Sequence, residues 1–110
     1  MSIEGSCHCG AVHLVLAEAP TDINECQCMH CRKRGARWSY YNADDVTVTG
    51  ETATYSWGDK DIAFHFCPNC GCSTHWSPVD QTRMRRGINM RMFEPEDVAG
   101  AVVRRSPGPK

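Results

Sequence analysis

The chain has no surplus of either charge: its 110 residues carry 12 Lys and Arg against 13 Asp and Glu, a formal net charge of -1. At whole-chain level, nothing demands nucleic acid or a membrane surface as a partner. Long apolar runs are absent too, since no stretch approaches the roughly 20 residues of a membrane span. Helical periodicity is scarce, and there is no internal repeat, linker or low-complexity segment. The start, Met1-Ser2-Ile3-Glu4-Gly5-Ser6, has no basic head, apolar stretch or cleavage site of an export signal, which points to a reducing, cytoplasmic setting. One departure from charge balance runs from Arg83 to Lys110. There Arg83, Arg85, Arg86, Arg91, Arg104, Arg105 and Lys110 face three acidic residues, as a solvated strand face and tail would.

What the chain does have is cysteine. Eight fall as Cys7-x-Cys9, Cys26-x-Cys28-x-x-Cys31 and Cys67-x-x-Cys70-x-Cys72. An even number in a small domain suggests a disulfide framework. Cysteines one residue apart are poor disulfide partners, however, because bridge geometry restricts the separation and angle of the two side chains. Gaps of one and two residues are instead how thiolates converge on a metal ion, and zinc is the metal such ligand sets favour. Cys67-Pro68-Asn69-Cys70-Gly71 has the form of a zinc knuckle, in which backbone N–H groups of the loop reach the sulfurs. Cys7-His8-Cys9-Gly10 offers a second pair, and four thiolates close a tetrahedron that leaves no place for substrate. The middle cluster offers three sulfurs in six residues and an open fourth position, the arrangement of catalytic zinc. His30 and Cys72 are the local candidates to close that position. Spacing alone does not decide which cluster pairs with which.

Length and pattern indicate one domain over residues 1–105, with 106–110 a frayed tail. The period is mostly two, as in strands with one buried face. Val12, Leu14 and Leu16 mark one strand, ended by Pro20. Val46–Thr49 and Thr52–Trp57 read as a pair, Ile62–Phe66 runs into Cys67, and Ser73–Trp76 leaves Cys72 and stops at Pro78. The segment from Arg83 to Met92 contains another strand, interrupted at Gly87. Cys28 to Lys33 reads as a short turn, and Glu94 to Val98, with its early proline and acidic first turn, as a brief helix.

Three stretches carry a resemblance: Gly5-Ser6-Cys7-His8-Cys9-Gly10-Ala11-Val12; Cys26-x-Cys28-x-x-Cys31-Arg32-Lys33-x-Gly35-Ala36; and Phe66-Cys67-x-x-Cys70-Gly71-Cys72-x-Thr74-His75-Trp76. Together with Trp38-Ser-Tyr-Tyr41 and Gly87 to Pro95, they resemble the glutathione-dependent formaldehyde-activating family, whose domain is shared with centromere protein V. Met29 departs from that pattern, standing where the family often places serine. The resemblance implies a mainly β, Mss4-like, zinc-bound β-sheet fold with one or two short helices. It also implies two zinc ions per chain: a structural one on Cys7, Cys9, Cys67 and Cys70, and a catalytic one on Cys26, Cys28 and Cys31. The implied reaction joins glutathione, or a related small thiol, to formaldehyde, and its reverse is carbon–sulfur lyase chemistry. Three thiolates leave the second zinc site negative, so cationic neighbours are needed. Arg32, Lys33 and Arg34 follow Cys31 and are placed to supply that charge or to receive glutathione carboxylates. His75 and Trp76 are candidates to line the substrate pocket. Two other classes compete: a zinc-stabilised protein-binding module without catalysis, and a methionine sulfoxide reductase of related fold. The latter needs a reactive cysteine on a late strand, where Arg86-Gly87-Ile88-Asn89 offers none.

Overall fold

A computed structural model describes residues 2–108 of the chain. Among them, ten strands form two sheets. β1 (Ile3–Ser6), β2 (His13–Leu16) and β5 (Val46–Thr49) make a three-stranded antiparallel sheet in the order β1-β2-β5. The larger sheet runs β10-β3-β4-β9-β8-β7-β6, with β3 Asp22–Cys26, β4 Trp38–Asn42, β6 Ala53–Tyr55, β7 Ile62–Phe66, β8 Ser73–Pro78, β9 Arg85–Asn89 and β10 Val102–Ser106. Two short helices complete it, α1 (Met29–Arg34) and α2 (Pro95–Val98), with 3-10 turns at Ala43–Asp45 and Met90–Met92. The fold is mainly β, as the alternating pattern indicates. No helix of the described residues is long and apolar enough to cross a membrane.

Side chains alternate across a strand, so the larger sheet has two different faces. One face sends Ile23 and Ile88 toward Leu14 and Leu16 of the small sheet, with Met90 and Phe93 closing the layer. Leu14, Leu16 and Ile88 are fully buried, and each such side chain contributes about 1.5–3 kcal/mol by leaving water. The other face carries Trp38, Tyr40, Phe64 and Trp76, which pack around Cys26, Cys28 and Cys31. The sheet therefore separates an aliphatic core from an aromatic, sulfur-rich one.

Two expectations need correction. β9 passes through Gly87 without interruption, pairing it with Tyr40 and Trp76. The glycine makes room rather than a break, because a Cβ there would overlap the Trp76 indole. β8 stops at Pro78 as the sequence indicates, the proline pairing with Ile62 at the strand end, where a missing N–H costs little. Ser106, expected to begin a frayed tail, instead pairs with Cys26 in the parallel β10–β3 ladder, and its carbonyl accepts from Gln27 N at 2.7 Å. Pro109 and Lys110 lie outside the described residues.

Candidate metal centres and pocket

The first cysteine group is assembled from the two ends of the fold. Cys7 and Cys9 follow β1, Cys67 and Cys70 sit in the turn between β7 and β8, and their four sulfurs all lie within 4.8 Å of one another. Cys9 Sγ is 3.7 Å from both Cys7 Sγ and Cys67 Sγ. The loops turn inward because their backbones bond back on themselves. Gly71 N donates to Cys67 O at 2.9 Å, Val12 N donates to Cys7 Sγ at 3.3 Å and Cys70 N donates to Cys67 Sγ at 3.5 Å. Gly71, at φ +83°, supplies the left-handed exit from the knuckle. Backbone donors aimed at sulfur favour the thiolate that binds metal. Cys70 is held below the usual thiol range by such bonds, first from Cys72 and then from Cys9. Cys72 packs beside this group, against Cys7 and Cys67, and not beside the middle cluster.

The second group, Cys26, Cys28 and Cys31, is local, and its three sulfurs also lie within 4.8 Å of one another, all buried. Cys26 ends β3. Cys28 is the N-cap of α1, its sulfur accepting from Cys31 N at 3.4 Å. The expected turn is thus a full short helix, closed by a left-handed Gly35 and by three basic residues in its last turn that suit the helix dipole. Burial raises the Cys28 thiol, but hydrogen bonds led by Cys31 N outweigh it and leave the thiol below its ordinary range. Burial pushes the Cys31 and Cys26 thiols up. Trp38 Nε1 donates to Cys31 Sγ at 3.3 Å. A buried trio of this kind, deprotonated only at a cost, fits a cation that would hold all three as thiolates.

His30 is not in the sulfur group. It lies between Tyr55, Trp57 and Phe64, with ring centroids 5.8, 5.5 and 4.4 Å away. Arg34 Nε donates to His30 Nε2 at 2.8 Å, which leaves the proton on Nδ1. That Nδ1 and the Trp57 Nε1 are both buried without a hydrogen-bond partner among the described residues. Trp57, Ile62 and Phe64 also line a cavity of about 280 Å³ whose rim holds Asp59, Asp61 and Arg83.

The predicted substrate contacts divide. Trp76 belongs to the aromatic layer around the trio. His75, one residue earlier on β8, points to the opposite side of the sheet, where it stacks on His65; the alternation of the strand separates the two. Arg32 and Lys33 are exposed, and Arg32 Nε bonds back to Gln27 O at 3.0 Å. Arg34 is the basic residue that turns in, its guanidinium 5.6 Å from the Tyr55 ring and 5.7 Å from the Phe66 ring.

The model of the family described as "Glutathione-dependent formaldehyde-activating enzyme" matches residues 2–102. The chain belongs to this family. A Halomonas elongata protein provisionally named a glutathione-dependent formaldehyde-activating enzyme is 36% identical over 86 residues, covering 64% of this chain and 52% of that protein. The chain thus spans about half the length of that curated relative. A crystal structure of a Rhodobacter sphaeroides protein superposes with a TM-score of 0.74 at 28% identity, covering 94% of this chain and 100% of that one.

Gly108 lies beyond the family match, and no sequence motif marks it as part of a site. A Cβ on it would collide with Cys26 Sγ and sit 3.0 Å from Cys28 Cβ, so the backbone after β10 forms one wall of the trio. Gly108→Val is expected to loosen metal at the trio about tenfold, the scale of disturbing a ligand's surroundings, and to leave the four-cysteine group unchanged. Chelator competition followed by a colorimetric metal indicator reads this as one ion released earlier. Two release phases identical to wild type would show that the tail has no part in the site.

Proposed function

We propose that the protein is a zinc enzyme of carbon–sulfur chemistry that joins the thiol of glutathione, or of a related small thiol, to formaldehyde, and cleaves the adduct in reverse. The observation that carries this reading is the Cys26, Cys28 and Cys31 trio: three buried sulfurs close enough for one ion, with no fourth Cys, His, Asp or Glu in the group among the described residues. Soft thiolate donors suit zinc, and three of them leave a position for substrate, whereas the group of Cys7, Cys9, Cys67 and Cys70 is complete and structural. Zinc bound in such a site acidifies an incoming thiol and polarises a carbonyl.

The chain's own groups have identifiable work in that reaction. Trp38 Nε1–H and Cys31 N–H, donating to Cys31 and Cys28 sulfur respectively, offset part of the negative charge of the ligand set. Arg34, half-buried against the aromatic wall, supplies further positive potential, and the exposed Arg32 and Lys33 are available to glutathione carboxylates. Trp57 Nε1–H and His30 Nδ1–H are donors without a partner, suited to the aldehyde oxygen or to a peptide carbonyl of the thiol substrate. Phe64, Trp57 and Trp76 exclude water. In the condensation the thiol sulfur forms a bond to the formaldehyde carbon, the carbonyl π pair moves to oxygen, and the thiol proton ends on that oxygen. A reducing, cytoplasmic setting goes with the reading, since all eight thiols are free.

Exchange NMR spectroscopy of glutathione with formaldehyde, with and without the protein, tests the proposal. Acceleration above the uncatalysed rate that saturates with glutathione is the expected result. No acceleration at any protein concentration would overturn the enzyme reading and leave a zinc-stabilised binding module.

A further inference from the structure

The face of the large sheet turned away from the trio carries a second polar site. His65 on β7 and His75 on β8 sit opposite one another, with ring centroids 4.1 Å apart and planes inclined by 12°. Hydroxyls occupy three of the four ring nitrogens. Thr52 Oγ1 is 2.9 Å from His65 Nδ1, Ser77 Oγ is 2.8 Å from His65 Nε2 and Thr74 Oγ1 is 2.9 Å from His75 Nδ1. His75 Nε2 has no hydrogen-bond partner among the described residues, in a residue only 7% exposed. Both rings line a cavity of about 390 Å³ between the two sheets, walled otherwise by Ser77, Gln81 and Arg86 and by the apolar Ala43, Val46 and Val48.

No carboxylate lines this cavity. Arg86 is held in place by its Nη1, which donates to the Arg83 and Arg85 carbonyls at 2.9 and 3.0 Å, and it pairs with no acidic side chain among the described residues. Burial first, then His65 and Arg86, hold His75 down to about 3, so its ring is neutral near pH 7. Arg86 is then the one formal charge on the wall. A half-buried cation without a counterion, beside an imidazole nitrogen that faces the cavity without a protein partner, is an unbalanced arrangement that an anion would complete.

We propose that this cavity binds a small monocarboxylate, its oxygens held by Arg86, the Gln81 amide and His75 Nε2–H, and its apolar end against Val46 and Val48. Two features select a carboxylate over phosphate. One guanidinium balances one negative charge, whereas a phosphate dianion would leave surplus charge against apolar walls. The planar guanidinium fork also matches the two oxygens of a carboxylate. Binding sets the His75 tautomer as well. With Nε2–H donating to the ligand, Nδ1 accepts from the Thr74 hydroxyl, which otherwise reaches the His65 carbonyl at 3.3 Å. The site shares no residue with the trio and does not depend on the thiol–aldehyde reaction.

The test is a titration of metal-loaded, 15N-labelled protein at neutral pH with sodium acetate, following the histidine ring nitrogens in two-bond 1H–15N spectra. Sodium chloride and sodium phosphate at matched ionic strength are run in parallel. Acetate is expected to saturate with a Kd on the order of millimolar, the affinity of a few hydrogen bonds net of association costs, and to move His75 to the Nε2–H pattern. Arg86→Gln should weaken binding at least about tenfold, while Arg86→Lys should retain part of it. The free-state His65 and His75 signals of each variant report that the fold is intact. No saturable response up to about 100 mM acetate would overturn the proposal. So would an equal response to chloride, tighter binding of phosphate, or an Arg86→Gln protein that binds as wild type.

Discussion

Replacing Cys67 or Cys70 by serine is expected to leave no folded, soluble domain. The four-sulfur group joins the end of β1 to the β7–β8 turn and so ties the small sheet to the large one across cysteines 58 residues apart. Structural zinc in small domains contributes about 10–16 kcal/mol of folding free energy, whereas a domain of this size is stable by about 5–15 kcal/mol in all. Loss of one ligand therefore removes most of what holds the fold, and it leaves three sulfurs, all but Cys9 buried or half-buried, with no cation to compensate them. Cys72→Ser is the control. Cys72 packs beside the same group but lies outside its four ligands, so its removal should leave a cooperative thermal transition and an unchanged metal content. Circular dichroism melts with metal analysis check both. A Cys67→Ser protein with the wild-type melting curve would show that the group is not what clamps the sheets.

The parts of this architecture legible in the sequence are those where one local rule dominates. Leu14 and Leu16, Val46 and Val48, and Phe64 reveal strands by alternation, and the cysteine spacings mark both sulfur groups. Another strand is hidden because a polar residue takes one of its buried positions. β3 reads Asp-Ile-Asn-Glu-Cys, yet its Asn24 is buried and donates to Tyr40 Oη at 2.7 Å, a bond that only tertiary structure supplies. β10 was hidden for the opposite reason. It is an edge strand whose Val102 and Val103 are exposed, so no buried face imposes a period. The misplacement of His75 was avoidable in principle: once β7 and β8 are taken as a hairpin, pairing Phe64 with Trp76 puts His65 and His75 together on the other face. The wall made by Gly108 was not readable at all, since it depends on a parallel pairing of Ser106 with Cys26 that no local pattern encodes.

Serine at Cys26, Cys28 or Cys31 should do the reverse of serine at the structural group, keeping the fold while abolishing thiol–formaldehyde exchange. The trio lies within only six residues. By loop-closure entropy, cross-linking cysteines 58 residues apart is worth about 2 kcal/mol more than cross-linking within that short segment. Metal at the trio therefore contributes less to holding distant elements together. A serine hydroxyl in the buried aromatic layer costs about 1–3 kcal/mol, enough to lower the melting temperature without unfolding the chain. Cys31→Ser should be the most costly of the three, because Trp38 Nε1 then faces a smaller, more distant acceptor. Each variant should retain one tightly bound metal ion, lose the second, and show no exchange above the uncatalysed rate. A trio variant that unfolded as completely as Cys67→Ser would mean that both groups are structural, and one that kept full exchange would place the chemistry elsewhere on the molecule.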